Sequence, residues 1–480
     1  MLRFSSEVLR DIVLYAVATT PQGPPHEWYN LVLSCKTLRR QLDTPAMHAL
    51  LFAEKFHVAA DTHPLLPAHA KAELQRRFSA LKFFRHGDPL NEGGPRFTDA
   101  LWVAYLMLRG PDTPPHVNMQ QLLWAGLPDL LMQFILHRLR VGAGDNHGWP
   151  LANEVNSLVV TLMWLLSSER TIAAEPAATR DAVMDTIRPF VLAAFRFPLS
   201  NAPESTFNVP AAVSAKGTTV HGAYPPPALP PRKVVCFGQH TEYPVPSVAM
   251  YSILCYFARL DTIVPEFPEH LRTGPRREDV EHFINECRTR FAGLMDDVFA
   301  EYGDDVPCGT IRPYVPGSLT GRWQGSFIVP CLNEYRHWLT ERDAPENMEI
   351  FCRQPLYITL QEHFCYRARE KVPHDCPEDG MKHAWLPQSV EWVERDGGVE
   401  VFDGTQSFKT FYETPATGEV PARRPGEIVD VFVTGQTDDP HAKAWGSFDV
   451  RGRVRLSDGL VVLRRESASD SFGPSLSLTE

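Results

Sequence analysis

The sequence predicts a multidomain α+β protein, in which an N-terminal module of three helices and an all-α middle precede an antiparallel β barrel or sandwich. Apolar residues recur at helical spacing until about residue 302, and from Ser318 onward the period of the pattern changes to two. The chain has 480 residues, too many for one small domain, and its 42 prolines end helices and separate elements. We therefore expect short packed elements and no continuous solenoid.

Composition and charge narrow the possible partners. The formal net charge of −11, without a run of Lys or Arg, disfavours a general nucleic-acid binder. The opening residues MLRFSSEVLRDIV contain Glu7 and Asp11 and lack the apolar core of a secretory signal. The longest apolar run, Ser157 to Leu166, is far shorter than the roughly 20 residues that cross a bilayer. Nine cysteines without a CxxC pair indicate reduced thiols. We expect a cytoplasmic or nuclear protein that binds neither nucleic acid nor membrane.

The N-terminal region predicts three small helices. The first, over residues 6–17, has apolar residues at helical spacing and Ser5 or Ser6 to cap its first turn. A loop rich in Pro and Gly follows, then a helix over residues 28–42, and Pro45 stops or restarts the chain before the third. Helices this short bury little surface by themselves, so we expect a partner to cover them.

The middle of the chain predicts buried helices and one linker. Long apolar stretches between Thr98 and Phe197 indicate four or more buried helices separated by Gly, Pro and Asn turns. Residues 200–233 are rich in Pro and contain PPPALPP, which is typical of a linker or long loop. A helix is expected around 247–260, and another over 278–302 with one apolar face against a domain.

The C-terminal region predicts short strands. Alternating segments begin at residues 319, 347, 389, 427, 444 and 459. The turns Asp396-Gly397-Gly398 and Ser457-Asp458-Gly459 supply the positive φ that tight hairpins need. Strands at this spacing are typical of an antiparallel barrel or sandwich. The predicted segments are a helical module (1–56), a helical domain (57–198), a linker (199–233), a helical segment (234–306), the β domain (307–466) and a tail (467–480).

The N-terminal segment resembles the F-box, a helical module that opens on Leu-Pro-x-Glu-Val/Ile-Leu-x-x-Ile and later contains a Cys-Lys pair. The matching residues are Phe4, Glu7, Val8, Leu9, Ile12, Leu31, Cys35, Lys36 and Leu38. Ser5 stands where proline is common, and the region from His26 to Trp28 lengthens the first loop.

The F-box resemblance implies that these helices insert apolar side chains into a Skp-type adaptor, which links the chain to a cullin and a RING subunit. The residues it assigns to that interface are Phe4, Val8, Leu9, Ile12, Leu31, Cys35 and Leu38. The alternative is that the same residues close a local helical core.

Two C-terminal segments, Pro316 to Phe327 and Val433 to Leu463, are similar to the closing portion of F-box proteins expanded in mushroom-forming fungi. They are also similar, over few residues, to animal F-box proteins whose C-terminal β-barrel captures degrons. The resemblance implies a substrate receptor of a ubiquitin ligase, which contributes proximity and no bond chemistry. The alternative is a ligase-independent interaction scaffold with a degenerate F-box.

The β domain offers aromatic and cationic candidates for substrate binding. Tryptophans could line a mouth for a peptide or small ligand, or simply fill a barrel. Arg451, Arg453 and Arg455 alternate with apolar residues and form a three-arginine ladder. This ladder could grip an acidic or phosphorylated segment, or it could be a solvated strand face. The candidate substrate-binding residues are Trp323, Gln324, Trp392, Trp445, Arg451 and Arg453.

Signs of metal binding and catalysis are weak. The metal-ligating types in one stretch are His363, Cys365, His374, Cys376 and His383, but their spacing matches no zinc finger or ribbon. The chain has no G-x-S-x-G elbow, no HExxH and no P-loop. We expect a non-catalytic protein without metal or cofactor. The competing hypothesis is an unrecognised hydrolase or metal enzyme in the β domain.

Overall fold

A computed structural model of the chain describes residues 5–57, 67–87, 94–108, 117–194, 196–197, 218–219, 222–223, 229–263, 276–279, 281–282, 314–341, 343–367, 371–374, 383–404, 407–415, 427–456 and 459–467. Helices precede a large antiparallel sheet, so the predicted α+β class is confirmed. Of the predicted barrel or sandwich, a closed barrel is not formed by the described strands, as set out below.

The N-terminal module has four helices where three were predicted. They are α1 (Ser6–Ala18), α2 (His26–Ser34), α3 (Lys36–Leu42) and α4 (Pro45–Lys55). The predicted helix over 28–42 is broken at Cys35, whose backbone is extended with φ −157° and ψ 159°. The Cys35 sulfur accepts a hydrogen bond from the Leu38 amide and so caps α3. Pro45 begins α4, with Thr44 as its N-cap.

The middle of the chain is helical, as predicted. Its helices are α5 (Pro67–His86), α6 (Pro95–Leu108), α7 (Val117–Trp124), α8 (Leu127–Arg138), α9 (Glu154–Leu165), α10 (Glu169–Ala173) and α11 (Ala177–Leu192), with a 3-10 turn at Gly144–Asn146. Gly126, at φ 76°, separates α7 from α8 because a left-handed residue cannot continue the helix.

Between the helical middle and the large sheet lie two hairpins that the sequence interpretation missed. They are formed by β1 (Thr218–Thr219) with β2 (Gly222–Ala223), and by β3 (Arg232–Cys236) with β4 (Gln239–Tyr243). The predicted helical segment 234–306 therefore begins with strands.

The predicted helix at 247–260 is present as α12 (Val248–Leu260). Most of the predicted linker, and all but the first turn of the predicted helix over 278–302, lie outside the described residues.

One hydrophobic core runs through all three predicted helical segments, 1–56, 57–198 and 234–306, and reaches from Leu9 to Met348. Helix α7 joins the N-terminal module to the rest of this core through two buried amides. The Gln121 side chain accepts from the Gly23 amide at 2.7 Å and donates to the Pro21 and Lys55 carbonyls. Asn118 makes the same kind of two-way contact with the backbone of His57. The module is thus fixed by specific hydrogen bonds as well as by packing.

Lys55 is the last residue of α4 and is fully buried. Its ammonium donates to the carbonyls of Val17, Thr20 and Pro21, at and just beyond the end of α1. Helix α1 has no basic residue in its own last turn, so Lys55 supplies the positive charge that a helix C-terminus favours. Burial lowers the pKa of Lys55, and the neighbouring carboxylates of Glu27 and Glu54 oppose that shift.

The large sheet is antiparallel and has eight described strands. They are β5 (Gly321–Pro330), β6 (Ile350–Cys365), β7 (Val390–Arg395), β8 (Gly398–Asp403), β9 (Lys409–Glu413), β10 (Asp430–Thr437), β11 (Phe448–Arg455) and β12 (Leu460–Ser467). Helix α13 (Leu332–Thr340) connects β5 to β6, and α14 (Asp439–Trp445) connects β10 to β11. The strand predictions are confirmed, and Gly397 and Gly459 have the expected positive φ.

Strand β6 is the centre of the sheet, whose order is β12-β11-β10-β6-β9-β8-β7, with β5 also paired to β6. Because β7 and β12 end this order and are not paired with each other among the described residues, the sheet is not a closed barrel. Each face covers its own small core, one containing Ile358 and Leu360 and the other containing Val401 and Tyr412.

Helix α13 anchors the sheet to the helical core. Trp338 of α13 is buried in that core, which also takes in Met348 just before β6. Arg353 of β6 donates to the Leu260 carbonyl at 2.8 Å and pairs with the Asp261 carboxylate at the end of α12. These contacts connect the sheet to the helices through buried and half-buried groups.

We predict that Lys55→Met destabilises the protein by about 1–3 kcal/mol, because buried carbonyls beyond α1 lose their donor while the apolar stem is retained. Urea unfolding followed by circular dichroism measures the change. The matched control is Lys36→Met, at an exposed position of α3, which should stay within about 0.5 kcal/mol of the parent. Equal effects of the two substitutions would contradict this role for Lys55.

Candidate functional site

Helix α1 has two apolar faces, and only one of them is covered. The inward residues are Leu9, Val13 and Val17, which are at most 8% exposed. The outward residues are Val8, Ile12 and Tyr15, which are 45%, 47% and 78% exposed. Their spacing of four and three residues places them on one side of the helix. An ordinary surface helix would carry polar residues there.

The F-box-like positions divide between this outward face and the core. Val8 and Ile12 are exposed, whereas Leu9 is turned inward, which corrects its assignment to the adaptor interface. Leu31 and Leu38 are half-buried and pack against the core. Phe4 lies outside the described residues.

Three further details of the module bear on this surface. Cys35 is exposed at the break between α2 and α3. Leu33, which the sequence interpretation left out, is 74% exposed on α2. Ser5, at the position where an F-box usually has proline, is the N-cap of α1, and its hydroxyl accepts from the Val8 amide at 3.3 Å. The serine hydroxyl satisfies an amide of the first turn and so favours the start of the helix at this point.

Arg453, the middle residue of the arginine ladder, is buried and already engaged. Its guanidinium binds both carboxylate oxygens of Asp430, with Nε to Oδ1 at 2.8 Å and Nη2 to Oδ2 at 2.7 Å. It also donates to the Val372 carbonyl at 2.8 Å. The Tyr412 hydroxyl donates to Asp430 at 2.6 Å and accepts from the Val372 amide. This closed network corrects the assignment of Arg453 to substrate binding.

The other two arginines show that the ladder faces inward, so the solvated-face interpretation is wrong. Arg455 is buried, and Arg451 is half-buried. Arg451 pairs with Glu466 at 2.7 Å and donates to the Val390 carbonyl at the start of β7. From β11, Arg451 therefore contacts the strands at the two ends of the order, β12 through Glu466 and β7 through Val390.

The structure does not bring the candidate tryptophans together. Trp323 pairs in register with Ile358 and Trp392 with Val401, and these two partners belong to the cores on opposite faces. Trp323 is 44% exposed and donates to the Leu319 carbonyl at 2.7 Å. Trp392 is half-buried against its core.

Trp445 and Gln324 lie near a third group of rings. Trp445 stacks on His441, with ring centroids 5.6 Å apart. His441 is 1% exposed, and burial lowers its pKa to about 4. Gln324 pairs in register with Tyr357, whose ring lies 6.1 Å from that of His441. Two of the six candidates are therefore associated through this histidine.

A buried carboxylate organises the loop before β5. Glu362 of β6 is fully buried and accepts hydrogen bonds from the amides of Leu319 and Thr320 at 2.9 and 2.7 Å, and from the Gly317 amide at 3.1 Å. The hydroxyls of Thr320 and Tyr314 also donate to it. Burial, and then the Glu362 carboxylate, raise the pKa of Tyr314. The sequence carried one signal of this buried carboxylate: Glu362 alternates with Leu360 and Phe364, which are apolar and lie on the same face of the strand.

The histidines and cysteines considered for zinc have other partners. His363 lies between the hydroxyls of Thr414 and Thr434, at 2.7 and 2.8 Å. His374 stacks on His383 with ring centroids 3.8 Å apart, and its pKa is lowered to about 3, first by burial and then by Arg453. Cys376 lies outside the described residues. Within the described ranges, no three His, Cys, Asp or Glu side chains are grouped to hold a metal ion.

Comparison with known proteins identifies no relative: no family model, no curated protein and no solved structure matches the chain. Among the helices that the structure describes, none is long and apolar enough to span a membrane.

We predict that Arg453→Met destabilises the protein by about 3–5 kcal/mol, because it leaves the Asp430 carboxylate buried without its cation. The control is Arg464→Met on β12, a residue whose side chain is 37% exposed, where a change within about 0.5 kcal/mol is expected. Urea unfolding of both variants measures the difference. A loss below 1 kcal/mol for Arg453→Met would contradict the network.

Burial lowers the pKa of His363 to about 4, so the unfolded chain binds a proton more readily than the folded one. Folding stability should therefore fall as pH drops from 6.5 towards 4, with about 3 kcal/mol from this residue at the lower end. His363→Gln should lose stability at pH 7 and show a shallower fall below pH 6.5. Urea midpoints across this range test the sign. Parallel pH profiles for parent and variant would exclude His363 as the cause.

Proposed function

We propose that the chain is the substrate receptor of a Skp–cullin–RING ubiquitin ligase and that the outward face of α1 binds the Skp-type adaptor. The observation that carries the proposal is the exposed stripe of Val8, Ile12 and Tyr15 on a helix whose opposite face is fully used by the core. The F-box-like pattern contributes Val8 and Ile12 to this stripe.

Energetics favour a partner on this stripe. Burying a Val or Ile side chain contributes about 1.5–3 kcal/mol, so covering the outward face of α1 supplies a large part of a stable interface. Exposed Leu33 on α2 and Cys35 beside it add apolar surface on the neighbouring helices. Exposed apolar side chains grouped on one face, as on α1, are typical of a protein-binding site.

A receptor holds its substrate at a fixed distance from the ligase, because its contribution is proximity. The contacts of Lys55 and Gln121 with the turn after α1, and the anchoring of the sheet by α13, support that role. On the substrate side, we propose the β domain as the capturing surface, with exposed Trp323 as its first candidate and Gln324, Trp392, Trp445 and Arg451 as further ones. The protein itself performs no bond chemistry in this proposal and acts in the cytoplasm or nucleus.

Ile12→Asp should abolish co-purification of the full chain with a Skp-type adaptor, with affinity reduced at least about tenfold, because it places a charge in the centre of an apolar contact. The matched control is Val141→Asp, which introduces the same charge at a residue 54% exposed and remote in sequence from α1. Binding of purified proteins by isothermal titration calorimetry gives both affinities.

Substitution of Ile12 is a cleaner test than substitution of Leu9, since a charge at Leu9 would enter the core and unfold the module. No adaptor binding by the parent chain would refute the receptor proposal and favour the ligase-independent scaffold. Equal binding by the parent and Ile12→Asp would place the adaptor on a different surface.

A further inference from the structure

A cavity of about 600 Å³ lies between helices α2 and α4 of the N-terminal module and helices α5 and α7 of the middle. This volume is within the usual range for small-molecule sites. Its aromatic lining comprises Trp28, Tyr29, Phe78 and Trp124, which come from three helices: α2, α5 and the C-terminal end of α7. The cavity is separate from the outward face of α1.

The charges around the cavity are of one sign. Lys71, Lys82 and Arg85 line it, and none of its lining residues is Asp or Glu. The positive charge of Lys71 is compensated by the Asp43 carboxylate, with Nζ 2.8 Å from Oδ1. Arg85 is held over the Trp124 ring, 4.2 Å from the centroid, and donates to the Trp124 carbonyl at 2.8 Å. Lys82 has no acidic partner within the residues that the structure describes.

The neighbouring His48 adds no positive charge at neutral pH. It is buried, and its pKa is lowered first by burial and then by Lys71, with Asp43 opposing that shift. Two cations in the wall, Lys82 and, one helical turn away, Arg85, therefore have no acidic partner among the described residues.

We propose that this cavity binds an amphipathic organic anion, whose apolar body lies among Trp28, Phe78 and Trp124 and whose sulfonate, carboxylate or phosphate head pairs with Lys82. An aromatic wall beside the exposed Lys82 ammonium is complementary to such a molecule, because ring contacts bury the body while the cation pairs with the anionic head. A ligand there contacts the N-terminal module and the helical middle at once, and so stabilises their junction by mass action. This inference does not depend on adaptor binding.

The test uses two fluorescent probes that share one body, anilinonaphthalene sulfonate and the uncharged N-phenylnaphthylamine, titrated into the full chain. The parent should bind one equivalent of the sulfonate saturably and more tightly than the uncharged probe. Lys82→Glu should weaken sulfonate binding at least about tenfold and leave the uncharged probe within about twofold. The charge-reversal control is Lys443→Glu, at an exposed position of α14, which should bind both probes as the parent does.

A second variant, Ser79→Trp, fills the cavity from α5 and should remove binding of both probes. If Lys82→Glu unfolds the chain, Lys82→Gln replaces it and should weaken binding of the sulfonate alone, by a smaller factor. Circular dichroism melts establish that each variant is folded. Saturable binding that survives Ser79→Trp would place the probe elsewhere and overturn the proposal. Equal weakening of both probes by Lys82→Glu would overturn the role of the anionic head.

Discussion

The buried ammonium of Lys55 is the contact on which the arrangement of the N-terminal module depends. Its three acceptors, the carbonyls of Val17, Thr20 and Pro21, belong to the end of α1 and the turn that follows. The Pro21 carbonyl is shared with Gln121 of α7, so the same turn is held from two helices. A buried charge that satisfies backbone carbonyls has few alternative positions. The contact fixes the direction of the outward face of α1.

Buried polar groups play a similar part in the β domain. The sheet covers two small cores, and neither is large enough to order long connections by apolar contacts alone. The loop before β5 is ordered by Glu362, and the segment around Val372 by Arg453 and Tyr412. In both places a charged or polar side chain from a strand replaces the apolar contacts that the loop lacks.

Periodicity predicted much of the fold, because α1 and the strands of the large sheet follow regular spacing and the Gly397 turn has a clear signal. The break at Cys35 was not predictable, because it interrupts an otherwise continuous helical pattern. Alternation placed Arg453 on one face of β11 but could not say that this face was buried. The cavity is assembled from helices far apart in sequence, such as those of Trp28 and Trp124, and has no local pattern.

The central claim is that an adaptor covers the outward face of α1 while the core behind it stays intact. Hydrogen exchange of the full chain, with and without a purified Skp-type adaptor, tests it most directly. The account predicts added protection in residues 6–18 and in the neighbouring helices α2 and α3, with the strands of the large sheet unchanged. A stable complex whose protection lies elsewhere, with α1 exchanging as in the free protein, would contradict it.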